Sequence, residues 1–166
     1  MTYFIGAGKS FNVVLNHEDL SDPAEWSQEK ESLLINTRKE FEGWDPVLLK
    51  IIGMIGNTMK WPLYSSSIMR RSVSGKLVVL GDAAHAMVPY MSQGAAIAVE
   101  DGVAIARSLQ KVKTKDEIPL ALSIFEAARI RRASKMQEAG LLNSKLWHFS
   151  DGRIQRARDE AMRPEV

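Results

Sequence analysis

The chain has 166 residues and a mass of 18.5 kDa, one domain or a piece of a larger one. Its 45% hydrophobic and 25% charged residues exclude the disordered, collagen-like and disulfide-built classes. Twenty-two basic residues against 20 acidic ones leave a net charge of +2, too little to imply a polyanion partner, and zero cysteines remove disulfides, thiolate metal sites, iron–sulfur clusters and thiol nucleophiles.

Residues 1–5 and 11–17 read as two strands joined by Gly6-Ala7-Gly8-Lys9, a hairpin that needs a larger sheet to be stable. A polar stretch over 19–27 follows, in which Asp22-Pro23 supplies an N-cap and a first-turn proline. A helix is predicted over 28–41, ended by Gly43, and Asp45-Pro46 starts a second one through Met54. Extended structure resumes over 61–64, before a Ser-rich, Arg-bearing stretch at 65–75 that reads as a domain boundary. The expected division is therefore one part at 1–76 and a second at 77–166.

Residues 76–80 form a short continuous apolar run bounded by glycines, the pattern of a strand buried on both faces. A helix packed with small residues is expected over 94–110, and a longer one from Pro119 to about Gly140. The Arg129, Arg131, Arg132 and Lys135 cluster on that last helix reads as a solvated face rather than a phosphate-binding one. No apolar run approaches the ~20 residues of a membrane span, and no basic leader precedes Tyr3-Phe4-Ile5. The protein reads as soluble, in the cytoplasm or another reducing compartment.

Several motifs fail on spacing. Gly8-Lys9-Ser10 lacks the glycine that a phosphate-binding loop needs five residues before Gly8, where Tyr3 stands. The dinucleotide fingerprint would put its third glycine at Phe11. His17-Glu18 has no second histidine four residues on, so no metal ligand set is found, and no serine sits in Gly-x-Ser-x-Gly. The four tryptophans are scattered, which leaves no stacking platform for nucleic acid.

One segment succeeds: Leu80-Gly81-Asp82-Ala83-Ala84-His85-Ala86-Met87-Val88-Pro89-Tyr90-Met91-Ser92-Gln93-Gly94-Ala95-Ala96, followed by Glu100-Asp101. A strand ending in Gly-Asp puts a carboxylate where open α/β folds place ligands, a good acceptor for sugar or ribityl hydroxyls. The helix beginning near Gly94 offers free N–H groups and a positive dipole end to an electron-rich atom. Asp82 can equally be a turn or N-cap aspartate, His85 a core histidine, and Pro89-Tyr90 an apolar loop plug. Glu100 and Asp101 either contact neighbouring segments or face solvent.

The segment resembles the second flavin-binding motif of FAD-dependent aromatic hydroxylases, the single-component flavoprotein monooxygenases that include salicylate-hydroxylase-like enzymes. Phe11-Asn12-Val13-Val14, Gly43-Trp44-Asp45-Pro46, Trp61-Pro62-Leu63, Trp147-His148 and Asp151-Gly152 resemble the same family. Ala86 departs from it, since many relatives carry proline after the histidine. The resemblance implies an α/β fold, seen here as an α+β C-terminal portion: part of the substrate-domain sheet, one flavin-site strand and long C-terminal helices.

It also implies FAD as cofactor, NAD(P)H as electron donor and an aromatic or related small molecule as substrate, which would receive one atom of oxygen. Asp82, Gly81, Pro89, Gly94 and Ala95 would then contact the flavin. Trp61, Leu63, Tyr64 and Tyr90 would line the substrate pocket, although the first three read equally as ordinary core. No catalytic residue is assigned. The βαβ unit with Gly-x-Gly-x-x-Gly that holds the ADP half of FAD does not occur in these residues, so the chain is expected to be an incomplete enzyme, with the missing N-terminal half as a partner. The opposing expectation is a non-catalytic remnant that binds a protein through exposed strand edges.

Overall fold

The computed structural model describes residues 1–17, 21–26 and 29–163, and divides into two compact units, Met1–Pro62 and Leu63–Val166. In the first unit, strands β1 (Thr2–Ile5) and β2 (Ser10–Val13) pair antiparallel, with Phe4 opposite Phe11. The turn between them holds three successive residues at positive φ, Gly6, Ala7 and Gly8, a path that two glycines make cheap. β2 ends at Val13, four residues short of the expected strand, and its pairing with β1 closes at the Met1–Val14 backbone pair.

Pro23–Glu25 forms a 3-10 turn whose entry is capped by Asp22, its carboxylate accepting the Ala24 N–H at 2.9 Å. Residues 19, 20, 27 and 28 of the expected polar stretch and helix start lie outside the described residues. Helix α1 spans Lys30–Glu40, and α2 spans Pro46–Gly53 behind an Asp45 cap on the Val47 N–H at 2.8 Å. The small core of this unit is Leu33, Phe41 and Ile52, with the His17 and Trp44 rings set edge-on to Phe41.

In the second unit, β3 (Val73–Ser74) and β4 (Leu77–Val78) make a two-residue hairpin around Gly75. The run at 76–80 is therefore not a strand buried on both faces: Leu77 is 67% exposed, since β4 pairs only with β3 among the described residues. In this unit Glu126 accepts the Ser72 and Val73 N–H groups, which holds the end of the 65–75 stretch to the helix bearing that carboxylate.

The rest is helical: α3 (Asp82–His85), a 3-10 turn Pro89–Met91, α4 (Gly94–Leu109), α5 (Ile118–Trp147) and α6 (Arg153–Ala161). α5 runs past Gly140 to Trp147, because that glycine lies on a crowded face where a Cβ would come within 3.3 Å of the Val88 carbonyl. Val73, Leu122 and Phe125 form the apolar core, joined by Val78, Leu80 and Ile105. α6 returns to α5 through Arg158, which donates to the Leu146 carbonyl at 2.5 Å, a cation on the last turn of a helix. No helix is long and apolar enough to cross a membrane among the described residues.

Candidate functional site

The chain leaves Leu80 and turns at Gly81, whose φ of 60° and ψ of −145° belong to glycine. Gly81 is the N-cap of α3, so Asp82 is not a capping residue. It stands in the first helical turn, exposed, with no side-chain hydrogen bond or ion pair among the described residues. A carboxylate left free at a helix N-terminus is available to a ligand. Gly81 packs on α4, where a Cβ would lie 3.6 Å from that of Ala98.

α4 begins one turn before Ala98. Its N-cap, Gln93, makes no side-chain cap, and the first helical bond runs from the Ile97 N–H to the Gln93 carbonyl at 2.9 Å. The N–H groups of Gly94, Ala95 and Ala96 thus have no acceptor within the helix, at the positive end of a 16-residue dipole. Gly94 lies beside Met87 of the preceding loop. Pro89 is exposed, and Tyr90 meets the rings of Trp147 and His148 edge-on, with centroids at 5.7 and 5.3 Å. The structure thus brings Gly81, Gly94 and their loop onto one helix.

The expected pocket residues are not enclosed: Trp61, Leu63 and Tyr64 are 65%, 49% and 73% exposed. Leu63 and Tyr64 do lead directly into Ser66, whose N–H donates to the Ala86 carbonyl at 3.0 Å, so this strip approaches the loop. Trp61 belongs to the other unit.

Beneath the loop lies an ionic network on residues to which the sequence assigns no chemistry. Asp101, 1% exposed, accepts the Gly81 N–H at 3.0 Å and His85 Nε2 at 2.6 Å on one oxygen, and Arg129 Nε at 2.8 Å on the other. Arg129 also donates to Glu100 at 2.6 Å and to the Ile97 carbonyl at 3.2 Å, while Arg132 bonds both oxygens of Glu100. Arg129 is therefore not part of a solvated face. It is 9% exposed because it lies on the i+4 series Ala121, Phe125, Arg129, Ala133, Gln137 that packs inward. That spacing is the signal that could have identified it, and Arg131 and Lys135 off the series do face solvent.

Burial opposes the charge on Asp101, but the Gly81 N–H, His85 and Arg129 outweigh it and hold the carboxyl below its ordinary value. Glu100 is lowered to about 2, by the Arg132 hydrogen bond first and Arg129 second. His85 is a core histidine: its Nε2 is spent on Asp101, and its buried Nδ1 has no partner. His85, Asp101, Arg129 and Gln137 line a small cleft of about 20 Å³.

This donor and acceptor set fits a flavin. The free N–H groups of Gly94 and Ala95 suit the electron-rich edge of its ring, and the free Asp82 carboxylate suits its hydroxylated chain.

A relative from Arthrinium sp, the FAD-dependent monooxygenase atnJ, is 38% identical over 152 residues, covering 89% of this chain and 35% of the relative. The 6-hydroxynicotinate 3-monooxygenase of Pseudomonas fluorescens is 37% identical over 143 residues, covering 82% and 35%. The chain thus spans about a third of the length of these relatives. A solved salicylate hydroxylase substrate complex shares the fold, with a TM-score of 0.76 at 22% identity over 96% of this chain and 40% of that one. The profile of the FAD binding domain family matches residues 21–139, and the chain belongs to that family.

Proposed function

We propose that this chain supplies part of an FAD-dependent monooxygenase that uses NAD(P)H to drive hydroxylation of an aromatic or related small molecule. The observation that carries the reading is the uncapped start of α4, with Gly81 packed one turn further along it and Asp82 exposed without a partner. Names such as 6-hydroxynicotinate 3-monooxygenase among the relatives support an aromatic substrate.

Bound flavin would supply the electron transfer and oxygen activation that no side chain here offers. Asp82 would accept hydrogen bonds from the ribityl hydroxyls, and Gly81 lets the backbone bend close. The N–H groups of Gly94 and Ala95 would stabilise negative charge on the pyrimidine edge of the ring, in a geometry fixed before the charge arrives. Pro89 stiffens the loop at the ring's edge. Tyr90, Leu63 and Tyr64 would face the substrate and keep water from the reacting atoms. In this reading residues 1–76 serve the substrate and 77–166 the flavin, and the ADP half of FAD is held by a βαβ unit that these 166 residues do not contain.

The test is a titration with FAD followed by visible absorbance of the protein fraction. Flavin should co-elute with the protein, and Asp82→Asn should weaken binding about tenfold or more, the loss of a charged acceptor. Protein that stays colourless in excess FAD, with the βαβ unit present, would refute the reading.

A further inference from the structure

The loop between α3 and α4 meets α5 at Ala86, Val88, Tyr90 and Met91. Arg129 on α5 reaches its start through Asp101, which holds the Gly81 N–H and His85. Two turns on, Gln137, 3% exposed, donates from Nε2 to the Ala86 carbonyl at 3.1 Å and to the carbonyl and hydroxyl of Ser66 at 3.3 and 3.2 Å. Gly140 then lies against Val88, Asn143 donates to Met91 Sδ at 2.9 Å, and Trp147 meets Tyr90. Residues 129, 137, 140, 143 and 147 keep to one side of the helix, and the loop runs alongside them in nearly the same order.

We propose that α5 is the template on which the cofactor loop is shaped, with Arg129 and Gln137 as positioning residues for Asp82 and the start of α4. This rests on the flavin reading of that loop. Neither residue needs to touch the flavin. Arg129 fixes the glycine turn that aims Asp82, and Gln137 ties Ala86 to the strip that carries Leu63 and Tyr64. A side chain that loses freedom through such partners holds a ligand group within a fraction of an ångström, and loosening it weakens binding without removing a contact.

The experiment compares Gln137→Met and Arg129→Lys with Leu122→Ala, all in the complete flavin-binding protein. Leu122 is on the same helix but packs in the apolar core away from the loop. Hydrogen exchange of the flavin-free protein over residues 81–92 should speed up about tenfold in Gln137→Met, the loss of one buried donor, and change less than about twofold in Leu122→Ala once the variants are compared at equal global stability. FAD affinity should fall about tenfold in Gln137→Met and in Arg129→Lys, which keeps the charge and loses the fork.

Equal loop exchange in Gln137→Met and Leu122→Ala would overturn the proposal, since a merely structural residue predicts that equality. If Asp82→Asn weakens FAD while Gln137→Met and Arg129→Lys bind it normally, the proposal fails and the flavin reading survives. If none of the three affects FAD, both fail.

Discussion

The two units bury different things. The first closes over Leu33, Phe41 and Ile52 and leaves the aromatic side chains of its hairpin in the open, with Phe4 71% and Phe11 48% exposed. The second buries a carboxylate, a guanidinium, an imidazole and an amide beside an apolar cluster. An apolar cluster tolerates repacking, because hydrophobic contact has no direction. A buried ion pair tolerates almost none, since each charge left alone is stranded in a poor solvent. The second unit is thus specified by geometry and the first by volume, and the predicted cofactor loop sits on the one specified by geometry.

The sharpest way to break this comparison is Asp101→Ala. It strips Arg129 of a buried counter-charge and leaves the Gly81 N–H and His85 unpaired, and should cost the second unit about 3–5 kcal/mol in urea unfolding. A loss below ~1 kcal/mol would mean that the network contributes no more than a surface pair. In the first unit Ile52→Ala should cost about 2–3 kcal/mol, read from the unfolding transition followed by tryptophan fluorescence. Gly81→Ala forces a side chain into a glycine conformation with only ordinary contact to Ala98, so about 1–3 kcal/mol of strain should appear as faster exchange at the α3 amides.

Phe4→Ala removes an edge-to-face ring pair with centroids 5.2 Å apart, but on an exposed surface, and about 0.5–1 kcal/mol is expected by chemical denaturation. The gentlest probe is acid. Glu100 is lowered from 4.5 to about 2, so its contribution is fully present above pH 4.5 and is lost as the pH falls through about 2. Stability measured over that window should decline, and Glu100→Gln should flatten the decline in proportion to this residue's share.

Local chemistry was legible in the sequence. The hairpin follows from its turn glycines and both proline-led starts from their aspartate caps, while the run at 80–96 resembles a motif of the family to which the chain belongs. What depends on distant partners was not. The run at 76–80 has the composition of a central strand, but a central strand needs neighbours on both sides, and only β3 pairs with it among the described residues. The charge of Arg129 points to solvent while its four-residue spacing from Phe125 and Ala133 points inward, and Asp101 takes its role only from α5, which covers it. Gln137 offered no signal beyond that same spacing.

The position of α5 in the chain has a consequence for biosynthesis. The loop residue Ala86 is made 51 residues before Gln137, the side chain that holds its carbonyl, and Ser66 is made 71 residues before it. At roughly 5–20 residues per second, the ribosome leaves Ala86 waiting for about 3–10 s before its partner is even translated. Throughout that interval Ala86 and Ser66 lack the buried amide that donates to both. The amide that holds the loop to the strip carrying Leu63 and Tyr64 is therefore added only once that turn of α5 has been made.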